Sequence, residues 1–297
     1  MNTHHKLIFG NCMSMEELLN ESIHLIITSP PYFNAPFDYQ GLFNNYDQYL
    51  GVLRRFANES FRVLSEGRIL VLNIDDMLVN GTKYPIVADA TKILQNAGFR
   101  YRDRIIWKKP DGYLRISKRS GVLLQNPFPM YFYPDNLLES LLIFQKGKFD
   151  YRSIKQEKKE LSRIDKKVFQ EKGWHKTLWE MTNVLPGSPL EKGIAAFPDE
   201  LPNRIIKLFS YVGENVLDPF VGSGTTMKIA RQLNRNSVGY EIIRDLEKII
   251  RAKVGFDLQS KESNSGDSFE IVERKNGKYR YVCLEYIEKK KLAPIKI

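Results

Sequence analysis

The chain has 297 residues, enough for one large domain or two moderate ones around a buried core. With 42% apolar and 27% charged residues it falls outside disordered, collagen-like and coiled-coil compositions. No apolar run approaches the roughly 18 residues needed to span a bilayer, and the start Met-Asn-Thr-His-His-Lys lacks the apolar stretch of a secretory signal. Cys12 and Cys283, the two cysteines, make neither a disulfide scaffold nor a cysteine-built zinc site, and no metal centre is expected. A soluble cytoplasmic protein is the expectation. The charge is uneven. Lys and Arg exceed Asp and Glu by 45 to 35, and residues 100–180 alone hold 19 basic against 10 acidic side chains, +9 of the formal +10. Such concentration points to a polyanionic partner.

In chain order, His4-His5 have no metal-ligand companions and read as a frayed start. His24–Thr28 is a short apolar run stopped by Pro30-Pro31, which suits a buried strand ending in a loop. Tyr46–Leu64 carries apolar residues at helical spacing, Ser65-Glu66-Gly67 ends it, and Arg68–Ile74 reads as a second buried strand. Tyr84–Ala97 is helical, closed by Gly98, and Arg100–Trp107 alternates like a half-exposed strand. This is the rhythm of a mostly parallel sheet. Residues 108–136 read as loop, Leu137–Gln145 as a strand in preference to a helix, and Lys146–Lys176 as a charge-dense stretch without clear period. The alternation resumes with a helix at Glu200–Tyr211, a strand Asn215–Asp218, a helix Thr225–Leu233, a strand Ser237–Glu241 and a helix to Val254. Residues 257–267 read as a linker, Ser268–Tyr286 as a hairpin turning at Asn276-Gly277, and Lys289-Lys290-Lys291 as a solvated tail.

Two motifs carry chemistry. Asp218-Pro219-Phe220-Val221-Gly222-Ser223-Gly224-Thr225-Thr226 sits where a strand hands over to a helix. Close glycines there let a ligand approach the backbone, and the helix start offers free N–H groups. The loop lacks the Lys of a P-loop and the third Gly of a dinucleotide fingerprint. Glu241, 23 residues after Asp218 at the end of the next strand, stands where an acceptor for ribose hydroxyls belongs. The second motif, Thr28-Ser29-Pro30-Pro31-Tyr32, is a rigid loop with a hydroxyl acceptor, a proline carbonyl and an aromatic face. That set suits a planar base bearing an amino group, although the tetrapeptide alone is also an ordinary turn.

Together these motifs resemble the amino-group DNA methyltransferases that use S-adenosylmethionine, in the β-group order with the target-amine motif first. The resemblance covers most of residues 6–254. Gly10-Asn11-Cys12 resembles the family's N-terminal block, Phe99–Lys109 the block before its recognition region, Phe197–Pro202 the segment before the cofactor loop, and Asp218–Thr226 that loop. It implies a doubly wound, mostly parallel seven-stranded α/β sheet. It divides the chain into a catalytic domain (1–147 and 196–256), a target-recognition insertion (148–195, assisted by loop 108–136) and a C-terminal extension (257–297). It also implies that Phe220, Gly222, Gly224 and Thr225 line the cofactor pocket, with Asp218 near the methionine end and Glu241 on the ribose. Asn11, where the family often has Asp, would meet the adenine.

For the reaction, a flipped base would stack on Tyr32 while the Ser29 hydroxyl and Pro30 carbonyl accept from its amine, Pro31 keeping the loop rigid. Ser at the first position resembles the cytosine-N4 enzymes and Asp the adenine-N6 enzymes, which makes N4 of cytosine the expected target and N6 of adenine the alternative. A non-catalytic nucleic-acid-binding protein of this fold is a third possibility, disfavoured by the intact glycines. Double-stranded DNA is the expected partner, and a restriction enzyme cutting the same site would accompany the activity. Lys155, Lys158 and Lys159 in the basic stretch and Lys108 in the preceding loop are expected on phosphates. Arg115, Lys118 and Arg119 are the candidates for base edges.

Overall fold

A computed structural model describes residues 2–35, 41–110, 121–182, 197–256 and 266–274. Its centre is a nine-stranded sheet built from β1 (His4–Phe9), β2 (Ile23–Thr28), β3 (Leu64–Ile74), β6 (Arg100–Lys108), β7 (Leu138–Gln145), β8 (Leu178–Glu180), β9 (Asn215–Asp218), β10 (Asn236–Glu241) and β11 (Ser268–Glu273). The spatial order is β11-β1-β10-β9-β2-β3-β7-β6-β8. Every pairing is parallel except those of β7, which runs against β3 and β6. A two-stranded hairpin, β4 (Met77–Val79) with β5 (Thr82–Tyr84), follows β3, and a short helix, α3 (Gly121–Gln125), precedes β7.

Alternation along the strands explains the layering. Leu25, Ile27, Ile69, Val71, Leu141 and Ile143 face one way, against α6 (Glu200–Phe209) and α7 (Thr225–Gln232). Ile26, Leu70, Leu72, Leu142 and Phe144 face the other, against α1 (Tyr46–Val63) and α2 (Ile86–Asn96). A sheet covered on both faces needs unbroken apolar strands, which is what these sequences supply. α1 starts at Asn45, whose side chain accepts from the Gln48 N–H at 2.8 Å, and buries Tyr49, Leu53, Phe56, Ala57 and Ser60 at helical spacing. A third cluster packs Leu7, Phe9, Val221 and Met227 against α8 (Glu247–Val254).

The sheet extends beyond the expected seven strands by one at each edge. β11 adds in parallel to β1, so 268–273 pairs with the start of the chain; Asn276-Gly277 and the rest of the expected hairpin lie outside the described residues, as do Cys283 and the terminal lysines. His4 and His5 are not frayed. They open β1, and His5 is buried with its ring nitrogens 2.7 Å from Ser237 Oγ and 2.8 Å from Thr3 Oγ1. Burial drives its pKa down to about 4, with Arg231 adding to the effect, so the ring is neutral.

The basic stretch also differs from expectation. After β7 the chain emerges at the amino end of the parallel strands. It forms α4 (Gln156–Leu161) and α5 (Lys166–Glu171) and returns as β8, which pairs with β6. Lys146 is buried and donates to the Phe61 and Leu64 carbonyls. Trp174 and Trp179 are buried beside Arg204. Residues 148–180 form a crossover from β7 to β8, packed onto the sheet through its tryptophans. Their charge disguised this, because the apolar anchors are few and large. No helix among the described residues is long and apolar enough to cross a membrane.

Candidate active site

The sheet order reverses between β9 and β2, and open α/β sheets bind ligands at the carboxyl ends of the strands flanking such a point. Both sequence motifs end there. Asp218 closes β9, the glycine loop follows, and Ser29–Tyr32 follows β2. Thr28 Oγ1 donates to Asp218 Oδ1 at 2.7 Å, joining motifs 190 residues apart.

In the glycine loop, Gly222 and Gly224 have φ of +54° and +92°, which only glycine adopts without strain. A Cβ on Gly224 would also press Ile250 at 3.2 Å. α7 begins at Thr225, so its first N–H groups face the loop. The Thr225 hydroxyl and Ser223 Oγ each receive a 2.7 Å hydrogen bond from Lys253 of α8, which fixes the helix start. Phe220 lies against Phe56, ring centres 5.6 Å apart.

Glu241 ends β10. One oxygen accepts from the Ile242 and Ile243 N–H groups (2.8 and 2.9 Å), the other from the Gly222 N–H at 3.0 Å. Burial lifts its pKa to about 7 against those three N–H bonds, and the Asp218 charge adds to the lift. Asn11 is brought beside it by the Gly10 N–H, which donates to the Glu241 carbonyl at 2.9 Å. Asn11 Oδ1 accepts from the Met13 N–H, and its Nδ2 has no partner among the described residues. Arg274, just past β11, holds this loop from behind: it bonds the Ser14 carbonyl at 2.7 Å, the Asn11 carbonyl at 3.3 Å and Glu17.

This donor set fits S-adenosylmethionine. A glycine cradle of positive φ, a carboxylate with an acceptor site left on Oε2 for a ribose hydroxyl, and an amide donor for a purine edge stand on neighbouring strands. The fit has a pH consequence. Ribose hydroxyls prefer the ionised Glu241, so cofactor affinity should rise between pH 6 and 8 as that carboxyl loses its proton. Calorimetric titration should show the ratio of wild-type to Glu241→Gln affinity growing about threefold or more over that range; a constant ratio would place Glu241 off the ribose.

Asp218 ties the two motifs together. It is 2% exposed, and both oxygens are engaged within the protein: Oδ1 by Thr28 and the Phe220 N–H, Oδ2 by Thr226 Oγ1 at 2.6 Å. It acts as a latch between the two motif loops.

Around Ser29–Tyr32 the structure gathers residues the sequence did not flag. The Tyr32 hydroxyl donates to Glu139 Oε2 at 3.0 Å. Asn73 Nδ2 donates to the same oxygen at 2.7 Å and, more weakly, to Ser29 Oγ at 3.4 Å. Lys109 Nζ meets Glu139 Oε1 at 2.5 Å. Asn73 Oδ1 is a buried acceptor without a hydrogen-bond partner among the described residues, on the amide that faces Ser29. Burial holds the Tyr32 phenol neutral, and it pushes Asp75 up to about 6 although Asn136 donates to that carboxylate. Two signals could have pointed here: Asn73-Ile74-Asp75-Asp76 ends a buried strand in polar residues, and Glu139 interrupts the apolar run of β7.

Of the expected DNA contacts, Lys108 lies at the carboxyl end of β6, on the rim of this site, 3.4 Å from Glu180. Arg115, Lys118 and Arg119 fall outside the described residues. Lys155, Lys158 and Lys159 are displaced from it. Lys158 pairs at 3.3 Å with Glu214, which precedes β9 and so stands at the opposite end of that strand from Asp218. A buried carboxylate shared with Arg68 drew this lysine inward, to the amino edge of the sheet.

Comparison with known proteins agrees with this geometry. Residues 23–252 match the DNA methylase family of N6 and N4 methyltransferases. The chain is 33% identical to the type II methyltransferase M.MjaI of Methanocaldococcus jannaschii, covering 91% of this chain and 96% of that one. It is 30% identical to the type II methyltransferase M.MthZI of Methanothermobacter thermautotrophicus, over 94% and 85%. TTHA0409 of Thermus thermophilus, described as a DNA modification methylase and solved with S-adenosyl-L-methionine, superposes with a TM-score of 0.69 at 27% identity, covering 92% of this chain and all of that one. The PvuII cytosine-N4-specific DNA methyltransferase, at 19% identity and a TM-score of 0.62, shares the fold. The glycine cradle, the proline loop and these relatives lead to one conclusion: the chain belongs to the N6/N4 DNA methylase family and uses S-adenosyl-L-methionine as its methyl donor.

Proposed function

We propose that this methyltransferase moves the methyl group to the N4 amine of a cytosine swung out of duplex DNA, and that it protects the site from a restriction enzyme. The observation that carries the choice of base is Ser29 at the head of the proline loop. This neutral hydroxyl, with the Asn73 amide facing it, stands where the adenine-N6 enzymes are expected to carry a carboxylate. An exocyclic amine is a weak nucleophile because its lone pair is delocalised into the ring. Acceptors at Ser29 Oγ and the Pro30 carbonyl would draw its protons and turn the nitrogen towards tetrahedral geometry, facing the sulfonium methyl. Stacking on Tyr32, whose hydroxyl is tied to Glu139, would hold the base in line. Transfer is then direct, C–N forming as C–S breaks, and the amine gives up one proton to the surrounding acceptors or solvent. Positioning and fixed polar groups supply the rate.

Basic residues 108–119 would carry the duplex at the carboxyl rim. The relatives' designation as type II methyltransferases supports a restriction partner.

The test is incubation of the protein with unmodified genomic DNA and methyl-labelled S-adenosylmethionine, then digestion to nucleosides and mass spectrometry. Label in N4-methylcytosine is expected. Label in N6-methyladenine would overturn the reading of Ser29 while leaving the cofactor site intact.

A further inference from the structure

Residues 121–137 lead the chain into β7, and their tip exposes a run of large apolar side chains. Met130 is 90% exposed, Phe132 67% and Phe128 63%, and Tyr131 and Tyr133 are open as well. Five such groups in six residues, facing water, are costly unless something covers them. The tip is shaped in advance. Pro127, Pro129 and Pro134 restrict it, Met130 holds a left-handed φ of +74°, and the Tyr131 N–H bonds the Phe128 carbonyl.

Its base is anchored in the target site. Asn136 donates to Asp75, the Leu137 carbonyl accepts from the Lys109 N–H at 2.8 Å, and Glu139 bonds Tyr32. Phe132 is four residues from Asn136, so the tip cannot be more than about 14 Å from that anchor. Charge divides the sequence of 108–137 in two. Residues 108–119 hold five basic side chains and one acid, while 120–137 hold Asp135 as their sole charge. The first half suits phosphates. The second, uncharged and aromatic, suits the faces of bases.

We propose that Phe128–Tyr133 is a wedge that enters the duplex beside the target and fills the gap left by the base that swings out. This rests on the reading that the target is taken in flipped form. Unstacking a base step opposes flipping, and side chains inserted between steps offset part of that cost by stacking on the exposed bases.

The test uses the full chain and a duplex carrying the methylated site read from genomic DNA, with its target base either paired or mismatched. Phe128→Ala combined with Phe132→Ala should lower single-turnover methylation of the paired duplex at least tenfold, and the mismatched target, already unstacked, should restore the rate to within about threefold of wild type. Equal loss on both duplexes, or no loss on either, would overturn the wedge. So would sedimentation showing that the variant converts a dimer to monomers, because the patch would then join two copies. A second variant reads contact without turnover. All three native tryptophans are buried, so in Phe132→Trp the new side chain dominates acrylamide quenching. It should be quenched freely in the protein alone and protected on adding the duplex; continued quenching overturns the proposal. Label in N6-methyladenine would defeat the cytosine assignment and leave the wedge standing, so the two fail separately.

Discussion

Replacing Tyr32 with alanine should lower the turnover number about 10²-fold while the dissociation constant for S-adenosylmethionine changes less than about threefold. The asymmetry follows from where the ring sits. Tyr32 leads away from β2 into the Ser29, Asn73 and Glu139 cluster, whereas the cofactor cradle is built on β9, β10 and β1. Loss of a stacked base is worth about 1–3 kcal/mol, up to roughly 10²-fold in rate when the contact matters only for the aligned base. Tyr32→Phe separates the two parts of the side chain. It keeps the ring and removes the 3.0 Å hydrogen bond to Glu139, so its turnover should fall less than about tenfold. Steady-state kinetics with labelled cofactor, beside calorimetry for binding, decide the matter. A raised KM for the cofactor with unchanged turnover would put Tyr32 in the wrong half of the site.

The same division marks what the sequence could disclose. The cofactor half was legible because its requirements are local. Glycines of positive φ, a helix start and an acid at the end of the next strand lie within 24 consecutive residues. The strands were legible because both faces of the sheet are covered, which forces apolar runs at Ile23–Thr28, Arg68–Ile74 and Leu138–Gln145. The target half was not, because it is assembled across the sheet. Glu139 reaches Tyr32 over 107 residues, and Asn73 reaches Glu139 and Ser29. Polar contacts between the ends of neighbouring strands leave no periodic trace. The crossover 148–180 misled for a related reason. Lysines are amphipathic: Lys146, just before the crossover, donates to the Phe61 and Leu64 carbonyls, and Lys158 within it pairs with Glu214, contacts that composition does not disclose. His5 shows the opposite failure, since a polar pair at the chain start hid a buried strand.

Asp218→Ala should damage both halves at once, and this sets it apart from Tyr32→Ala. The carboxylate accepts from Thr28, Thr226 and the Phe220 N–H while almost wholly buried, so its removal strands three donors and frees the two motif loops from each other. Hydrogen bonds to a charged acceptor are worth about 1.5–3 kcal/mol each, and the loss should amount to several kcal/mol, a fall in Tm on the order of 10 °C. Cofactor affinity should weaken about tenfold or more, because the cradle backbone begins at Phe220, and turnover should fall with it, because Ser29 follows Thr28 directly. Asp218→Asn distinguishes latch from charge. Its amide oxygen still accepts from one side, and a threonine hydroxyl can turn to accept from the other, so most of the affinity should return. The charge itself is a burden on the fold. Burial, opposed by those three hydrogen bonds, lifts the Asp218 pKa from 3.8 to about 6. Between these values the folded state binds the proton more tightly than the unfolded one, so the contribution of this group to stability falls as pH rises from about 4 to 6 and is level above. Denaturant unfolding should show the wild type losing ground to Asp218→Asn over that window alone. If affinity for the cofactor were unchanged in Asp218→Ala, the latch would hold the fold without shaping the site.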